Sequence, residues 1–546
     1  MIYYMCKYTP LELFAGFGEE CRRLDYQADD FETADGLGHP NICGYGKGFL
    51  EAAMDPAVTK MVLINCCDVV RRIYDILKNN KKMEFLWLLD LPHGKGPAQQ
   101  KLLARQLERM LKAYEEQTGQ TFDPAAAVNA WRKQLEKEKP QGTYLSLQGA
   151  HGGPFLHETI QKVFSVPVVD DTCSGNRYLA LPKIDAEDGK KVVAPYAASL
   201  LGQMPCLRMT EVKDRQELRT QPAGIIYHTM KFCDYYSFEY SKLKEQQEIP
   251  LLKIETDGTK QSQGQLATRL EAFAESLQLA QRKKMMNADK KYVAGIDSGS
   301  TSTDVAIMDR SGKLVSWSIV RTGIGAALGA EKALEEALKK AGISESDLGN
   351  VVATGYGRGN IGKGDSQVTE ITCHARGAHY LCPETRTIID IGGQDSKVIR
   401  IDENGNVQNF VMNDKCAAGT GRFLEMMART MELSMEEMST LGLGWKNEIA
   451  ISSMCTVFAE SEVVSLIAEN RAPEDIIHGL NQAVAVKTAA LVKRVGAEER
   501  FMMSGGVSRN QGVVQVLEEK LHTKIQIHEL AQLCGAVGAA LIALEG

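Results

Sequence analysis

Apolar and polar stretches alternate along the whole chain. Up to about residue 281, short β-branched runs are separated by longer stretches of helical period. This alternation of strands with helices predicts parallel sheets covered by helices on both faces, here in two lobes. The predicted strands are 58–65, 84–91, 142–147, 165–169, 223–229 and 249–254, and the predicted helical stretches include 68–77 and 97–138.

From residue 292 onward, three turns of similar chemistry follow apolar runs. In the first, an apolar run reaches Asp297, and a polar Gly-Ser-Thr turn precedes a second apolar run, which predicts a β-hairpin. Amides and hydroxyls in such a turn can hold phosphates, and the Asp can hold the water shell of a cation. The turn residues are Gly299, Ser300 and Thr301, then Asp390, Gly392, Gly393 and Gln394, and finally Gly505, Gly506, Ser508 and Asn510.

Composition describes an ordinary globular protein. The 546 residues are 44% hydrophobic and 24% charged, which allows three or four domains of ~150 residues. A net charge of −7 gives no argument for nucleic acid. The chain has no apolar run near the ~18 residues that span a bilayer, and its first residues do not look like a secretory signal. We therefore expect a cytoplasmic protein whose 13 cysteines do not form structural disulfides.

Several cysteines stand where parallel sheets build their binding sites. Ligands gather at the carboxyl ends of strands in such folds. Any single free cysteine is more often a packed thiol than a ligand. The wide spacing does not suit a zinc finger, and it favours an iron–sulfur cluster held by several loops. The candidate ligands are the strand-end Cys66, Cys67, Cys173 and Cys233, together with Cys43 and Cys206.

Three of these segments resemble a known family. Residues 65–72, 171–177 and 230–234 resemble the cluster-binding segments of 2-hydroxyacyl-CoA dehydratase subunits. The resemblance implies an iron–sulfur domain over residues 1–284 with two flavodoxin- or Rossmann-like lobes, followed by a linker at 285–291. Proteins with a double-cubane cluster share this fold, so the cluster is either a 4Fe–4S or a double-cubane cluster. The choice between Cys66 and Cys67 as ligand stays open.

The order of the three C-terminal turns resembles the actin, Hsp70 and sugar-kinase superfamily. It implies a duplicated ribonuclease-H-like ATPase over residues 292–546, with ATP and Mg²⁺ between two lobes. In it, Asp297 and Asp390 order the metal ion and the attacking water, and Gln394 assists at the phosphates. Many members carry Lys where this chain has Asp304, so that contact departs from the pattern.

Two further cysteines point to one branch of that superfamily. The segments 369–377, with Cys373, and 413–424, with Cys416, resemble the BadF/BadG/BcrA/BcrD activators of 2-hydroxyacyl-CoA dehydratases and benzoyl-CoA reductases. The resemblance implies a homodimer through the ATPase domain, in which Cys373 and Cys416 of each chain hold one shared 4Fe–4S cluster. We expect Cys382, Cys455 and Cys534 to be packed core thiols.

Together these features suggest ATP-driven electron transfer. A ferredoxin or flavodoxin would supply electrons to the shared cluster, and the N-terminal cluster would reduce a small molecule. One alternative is dehydration of a 2-hydroxyacyl-CoA by a ketyl radical route. Another, of a different class, is a sugar kinase or Hsp70-like chaperone with only core cysteines.

Overall fold

The computed structural model describes most of the chain, in two compact units, Met1–Phe273 and Ala274–Gly546. The expected linker at 285–291 lies outside the described residues except for its last two, so this boundary stays a prediction. The residues left undescribed are 27–29, 40, 134–141, 176, 181–190, 208, 210–221, 247–248, 260–262, 280–289, 324, 363, 414–416, 453–454 and 546.

The first unit contains two four-stranded sheets, in which every described strand pair is parallel. Their strands are β1 (Ile2–Tyr4), β2 (Cys21–Arg23), β3 (Lys60–Ile64), β4 (Phe85–Leu89), β5 (Leu145–Gly149), β6 (Val168–Asp170), β7 (Gly224–Met230) and β8 (Leu251–Thr256). The helices are α1 (Leu11–Ala15), α2 (Glu32–Leu37), α3 (Gly44–Ala53), α4 (Asp68–Asn80), α5 (Pro97–Thr118), α6 (Pro124–Lys133), α7 (Gly153–Val163), α8 (Val193–Leu201), α9 (Asp234–Gln246) and α10 (Gln263–Ser276).

The strand orders are β2-β1-β3-β4 and β6-β5-β7-β8, which confirms the predicted two-lobed parallel architecture. All six predicted strands form, with ends shifted by a few residues, but β1 and β2 were not predicted. The stretch 97–138 was predicted as one helical stretch. It contains two helices, because α5 ends at a left-handed Gly119 and α6 begins at Pro124.

The second unit contains two five-stranded sheets. The strands are β9 (Tyr292–Ser298), β10 (Ser302–Asp309), β11 (Leu314–Arg321), β12 (Leu348–Thr354), β13 (Ser366–Gln367), β14 (Thr387–Ile391), β15 (Ser396–Ile401), β16 (Val407–Asn413), β17 (Phe501–Ser504) and β18 (Ile525–Gln526). The helices are α11 (Ala326–Ala341), α12 (Glu370–Leu381), α13 (Gly421–Thr430), α14 (Met435–Leu441), α15 (Thr456–Ala468), α16 (Pro473–Val495), α17 (Gln511–Leu521) and α18 (Cys534–Glu545).

The two sheets share one topology. Their orders are β11-β10-β9-β12-β13 and β16-β15-β14-β17-β18, each with three antiparallel strands followed by two parallel ones. This confirms the duplicated ribonuclease-H-like fold. Both predicted hairpins form, as β9–β10 and β14–β15. Within the described ranges, none of the helices combines the length and apolar composition needed to cross a bilayer.

Candidate functional site

A cavity of about 450 Å³ lies between the two halves of the second unit. The turns after β9, β14 and β17 all reach it. Strands β9 and β14 are the central strands of their sheets, and β17 is the neighbour of β14. The cavity therefore brings the three predicted phosphate and nucleotide turns together. The predicted residues that line it are Asp297, Gly299, Ser300, Thr301, Asp390, Gly392, Gly393, Gly505, Gly506 and Asn510.

Two other predicted residues have different positions. Gln394 is exposed and does not line the cavity. Ser508 is buried, and its hydroxyl donates to the carbonyl of Gly505 at 2.7 Å, which ties the last turn together. Asn510 caps α17 by accepting from the Val513 amide at 3.0 Å, and its buried Nδ2 has no partner among the described residues. The side-chain NH₂ of Asn510 is therefore a free donor at the cavity wall.

The first two turns face each other closely. A Cβ at Gly393 would lie 2.2 Å from Thr301 Oγ1, so only glycine allows this approach. The carbonyls of Gly392 and Gly393 also accept hydrogen bonds from the Gly421 and Arg422 amides, both at 2.8 Å. The second turn is therefore bonded directly to the first turn of α13.

Buried charges at the cavity wall form one connected network. His374 Nε2 lies 3.6 Å from Asp297 Oδ2, and its Nδ1 lies 3.5 Å from Asp390 Oδ1. Lys397 Nζ lies 3.0 Å from Asp390 Oδ2 and 2.9 Å from Asp395 Oδ2. Glu370 completes the network, 3.6 Å from Lys397. Such buried acids persist only because cations stand beside them.

The pKa shifts follow from this pairing. Burial opposes ionisation of Asp390, but the positive His374 and Lys397 outweigh it and hold the pKa of Asp390 well below its usual range. Burial also disfavours an imidazolium at His374, yet Asp390 and Asp297 raise the pKa of His374 well above its usual value. Asp390 is therefore a carboxylate and His374 a cation at neutral pH.

Sequence reasoning missed four members of this network, Glu370, His374, Asp395 and Lys397. Two of them had a local signal. Strand alternation after the second turn places Lys397 opposite Asp390 in the hairpin register, and Asp395 lies in the turn itself. Glu370 and His374 come from α12, a separate element, so only the folded chain brings them to the cavity.

Cys373 does not fit its predicted role. Its side chain is 0% exposed in the core around α18, and Gly538 of α18 packs so closely that a Cβ there would lie 1.7 Å from the Cys373 carbonyl. A thiol enclosed by its own chain cannot share a cluster with a second chain, so we correct the prediction that Cys373 is an interface ligand. Cys416 lies outside the described residues.

Cys455, expected in the core, is instead partly exposed. It is the N-cap residue of α15, and Val457 and Phe458 just after it are 65% and 63% exposed. Helix α15 packs on α13, the helix that follows Cys416. Cys382 and Cys534 are buried, in agreement with the core interpretation.

A second cavity, of about 110 Å³ and called the cysteine cavity below, lies in the first unit. All six predicted N-terminal cysteines line it, and so does Cys6, which sequence reasoning missed. Cys6 follows β1, a strand of only three residues whose pattern is too short to recognise. The seven thiols that line it are Cys6, Cys43, Cys66, Cys67, Cys173, Cys206 and Cys233.

Burial is the main influence on the pKa of three of these seven thiols. It raises the pKa of Cys173 and Cys43 and raises that of Cys233 to about 12. Cys66 differs: hydrogen bonding among the neighbouring Cys6, Cys66 and Cys67 thiols raises the pKa of Cys66, lowers that of Cys6 and lowers that of Cys67 to about 7. No three His, Cys, Asp or Glu among the described residues are grouped closely enough for a single metal ion.

His151 borders this cavity and also a neighbouring one of about 240 Å³. Its Nε2 lies 3.0 Å from Asp25 Oδ1, and its Nδ1 contacts Ser174 Oγ. Arg23 Nε donates to Asp25 at 2.8 Å. Burial lowers the pKa of His151 and outweighs the opposing effect of Asp25, so the imidazole is neutral. Asp25 then accepts from Nε2–H, and Nδ1 accepts the Ser174 hydroxyl.

Comparison with known proteins agrees with both halves. The model of the 2-hydroxyglutaryl-CoA dehydratase D-component matches residues 6–154 and 138–277, and that of the BadF/BadG/BcrA/BcrD ATPase family matches residues 294–543. The chain is 46% identical over 254 residues to the 2-hydroxyisocaproyl-CoA dehydratase activator of Clostridioides difficile, covering 95% of that protein and 46% of this chain. The chain belongs to the BadF/BadG/BcrA/BcrD ATPase family.

Other members of this ATPase family match a similar share of the chain. The (R)-2-hydroxyglutaryl-CoA dehydratase activating ATPase of Acidaminococcus fermentans is 45% identical over 255 residues, with 97% of it and 46% of this chain covered. The crystal structure of component A of that organism's (R)-2-hydroxyglutaryl-CoA dehydratase aligns with a TM-score of 0.45 at 44% identity, covering 46% of this chain and 98% of that one. The curated relatives named here thus match less than half of this chain, and the other half matches a separate family model.

Proposed function

We propose that this ATPase uses ATP hydrolysis to drive low-potential electron transfer to an iron–sulfur cluster in the cysteine cavity, where a small molecule is reduced. The convergence of seven thiols on one cavity carries the proposal. Thiolates are the protein ligands of iron–sulfur clusters, and this donor set is too widely spread for a mononuclear ion. Seven thiols exceed the four that one cubane needs, which favours the double-cubane alternative.

The ATPase residues divide into three roles in this proposal. Asp297 and Asp390 hold Mg²⁺ and orient the attacking water, the turns after β9 and β14 bind phosphates, and Asn510 Nδ2 donates to the nucleoside. Lys397 and His374 keep Asp390 ionised, as their distances of 3.0 and 3.5 Å from it support. Gln394 stays a prediction, since its exposed side chain would have to turn toward the phosphates.

The second phosphate turn offers a route from nucleotide to electron transfer. Its Gly392 and Gly393 carbonyls bond to the first amides of α13, and α13 packs on α15. We propose that Cys416 and Cys455, which precede these two helices, hold a 4Fe–4S cluster together with the same pair of a second chain. Two thiols per chain are half of a four-thiolate set, and helix N-termini favour the added negative charge of reduction. The exposed Val457 and Phe458 support a homodimer contact there. The external donor would be a ferredoxin or flavodoxin.

Reduction of a substrate also consumes protons. His151 borders both the cysteine cavity and the neighbouring 240 Å³ cavity, and its hydrogen bonds to Asp25 and Ser174 fix its ring. We propose that its ring relays protons: Asp25, partly exposed, takes up a proton from solvent and passes it to Nε2, and Nδ1 passes one to the Ser174 hydroxyl. Ser174, which lines the cysteine cavity, then donates its own proton to the small substrate.

The match to a dehydratase D-component favours a second candidate, dehydration of a 2-hydroxyacyl-CoA. Electron counting separates the two. Dehydration leaves the oxidation state unchanged, so one electron returns after each turnover, whereas reduction consumes two electrons per product. Product formed in excess of electrons supplied would favour the dehydratase.

The central test is spectroscopic. Protein purified without oxygen should contain iron and sulfide, and dithionite alone should reduce only the cluster of the ATPase domain. ATP, but not a non-hydrolysable analogue, should then produce the EPR signal of the reduced N-terminal cluster. Equal N-terminal signals under all three conditions would show that hydrolysis does not gate electron transfer.

A further inference from the structure

The two hairpins of the ATPase have the same register but different charges. In the second half, Asp390 stands directly opposite Lys397, and their side chains form an ion pair at 3.0 Å. In the first half, Asp297 stands directly opposite Asp304. The duplicated fold therefore places a second carboxylate where its other copy has an ammonium group.

Burial and the facing Asp297 raise the pKa of Asp304 well above its usual value, and only smaller effects, a hydrogen bond with the Ser302 side chain among them, favour its charged form. Directly opposed residues of an antiparallel pair point to the same face, and like charges there destabilise the sheet. Asp304 is 5% exposed, lines the nucleotide cavity, and its Oδ1 has no hydrogen-bond partner among the described residues. The nearby cations are already engaged or exposed: His374 lies between Asp297 and Asp390, and Arg509 is exposed.

We propose that, besides the Mg²⁺ assigned to Asp297 and Asp390, the carboxylates of Asp297 and Asp304 bind a second divalent cation that enters with the nucleotide, in the position that Lys397 occupies in the other half. Mg²⁺ is typically held by one or two carboxylates and by substrate phosphates. The first phosphate turn, Gly299–Thr301, separates these two carboxylates along the chain and lines the same cavity. The described residues offer no three-ligand group for a metal ion, which agrees with a site that the phosphates complete.

The proposal predicts a specific pattern of substitutions. Asp304→Asn removes the charge and supplies nothing, so it should weaken Mn²⁺ binding in the presence of a non-hydrolysable ATP analogue by roughly 10- to 100-fold, the usual cost of disturbing a metal site. Asp304→Lys places an ammonium group there instead. The Asp304→Lys variant should bind the analogue at Mn²⁺ concentrations at which the wild type does not bind it. At saturation it should bind one Mn²⁺ fewer than the wild type.

The measurement uses the full-length protein and follows free Mn²⁺ by EPR while the analogue's affinity is determined by calorimetry. Asp309→Asn, at the outer end of the same strand and outside the cavity, is the matched control and should behave as wild type. Equal Mn²⁺ stoichiometry and affinity in wild type, Asp304→Asn and Asp304→Lys would overturn the proposal. The inference rests on nucleotide binding in this cavity, so a wild type that does not bind the analogue would refute the proposed function as well, while normal analogue binding with unchanged Mn²⁺ would refute the cation site alone.

Discussion

The two cavities manage buried ionisable groups in opposite ways. The nucleotide cavity keeps its buried Asp390 ionised by setting His374 and Lys397 beside it. The described residues that line the cysteine cavity include no lysine or arginine, and burial keeps thiols such as Cys173 protonated. The first cavity is electrostatically organised before any ligand arrives, whereas thiols such as Cys173 in the second reach their charged form only when metal replaces protons. Substitutions should therefore affect one cavity without the other.

The largest effect should come from the thiols. Cys173→Ala should abolish the N-terminal cluster and all substrate reduction while ATP hydrolysis continues, because the two sites use different loops. Iron and sulfide content, with the EPR signal after ATP addition, measures this. The matched control is Cys382→Ala, a buried cysteine outside the cavity, which should keep full iron content. Full N-terminal iron in Cys173→Ala would contradict the ligand assignment.

The interface cluster offers an equally sharp contrast. Cys416→Ala and Cys455→Ala should each lose the cluster that dithionite reduces and weaken the dimer, whereas Cys373→Ala should only destabilise the fold slightly, since its thiol is a core atom. Iron content and analytical ultracentrifugation distinguish these results. Loss of the cluster in Cys373→Ala with retention in Cys455→Ala would restore the original prediction.

A substitution in the nucleotide cavity should have the opposite effect, loss of ATP hydrolysis while both clusters are retained. Asp390→Asn keeps the shape and the contacts with Lys397 and Ser504 but removes the charge, so ATP hydrolysis should fall by roughly 10³-fold. Both clusters should still assemble and the dithionite signal should persist. The measurements are phosphate release and iron content, with Asp309→Asn as control. Turnover near that of the wild type would remove Asp390 from the mechanism.

His151 should give the smallest of these effects. His151→Gln retains hydrogen-bonding capacity but cannot carry a proton, so substrate reduction should slow by roughly 100-fold. ATP hydrolysis, iron content and the EPR signal of the reduced N-terminal cluster should be unchanged. A larger solvent isotope effect in the variant would support lost proton delivery. Loss of iron instead would mean that His151 holds the cavity in shape.

Much of the fold could be predicted because its signals are local. The Asp297 and Asp390 turns are recognisable since an apolar strand, an Asp and glycines are contiguous in each. The strand-end positions of Cys66, Cys173 and Cys233 were visible for the same reason. The clustering of cysteines within each sheet was also predictable, since parallel strands present their carboxyl ends at one edge of a sheet. That the edges of two different sheets line one cavity was not predictable from this rule.

The sequence alone therefore predicts six strands of the first unit, the chemistry of the turns and the strand-end positions of the thiols. Which of Cys373 and Cys455 is enclosed depends instead on tertiary packing. Cys373 lies inside α12, which packs tightly on α18, whereas Cys455 stays partly exposed at the start of α15. The same holds for His374, which reaches Asp297 and Asp390 from another element. Burial and long-range pairing depend on which elements pack together, and no local pattern of residues encodes that.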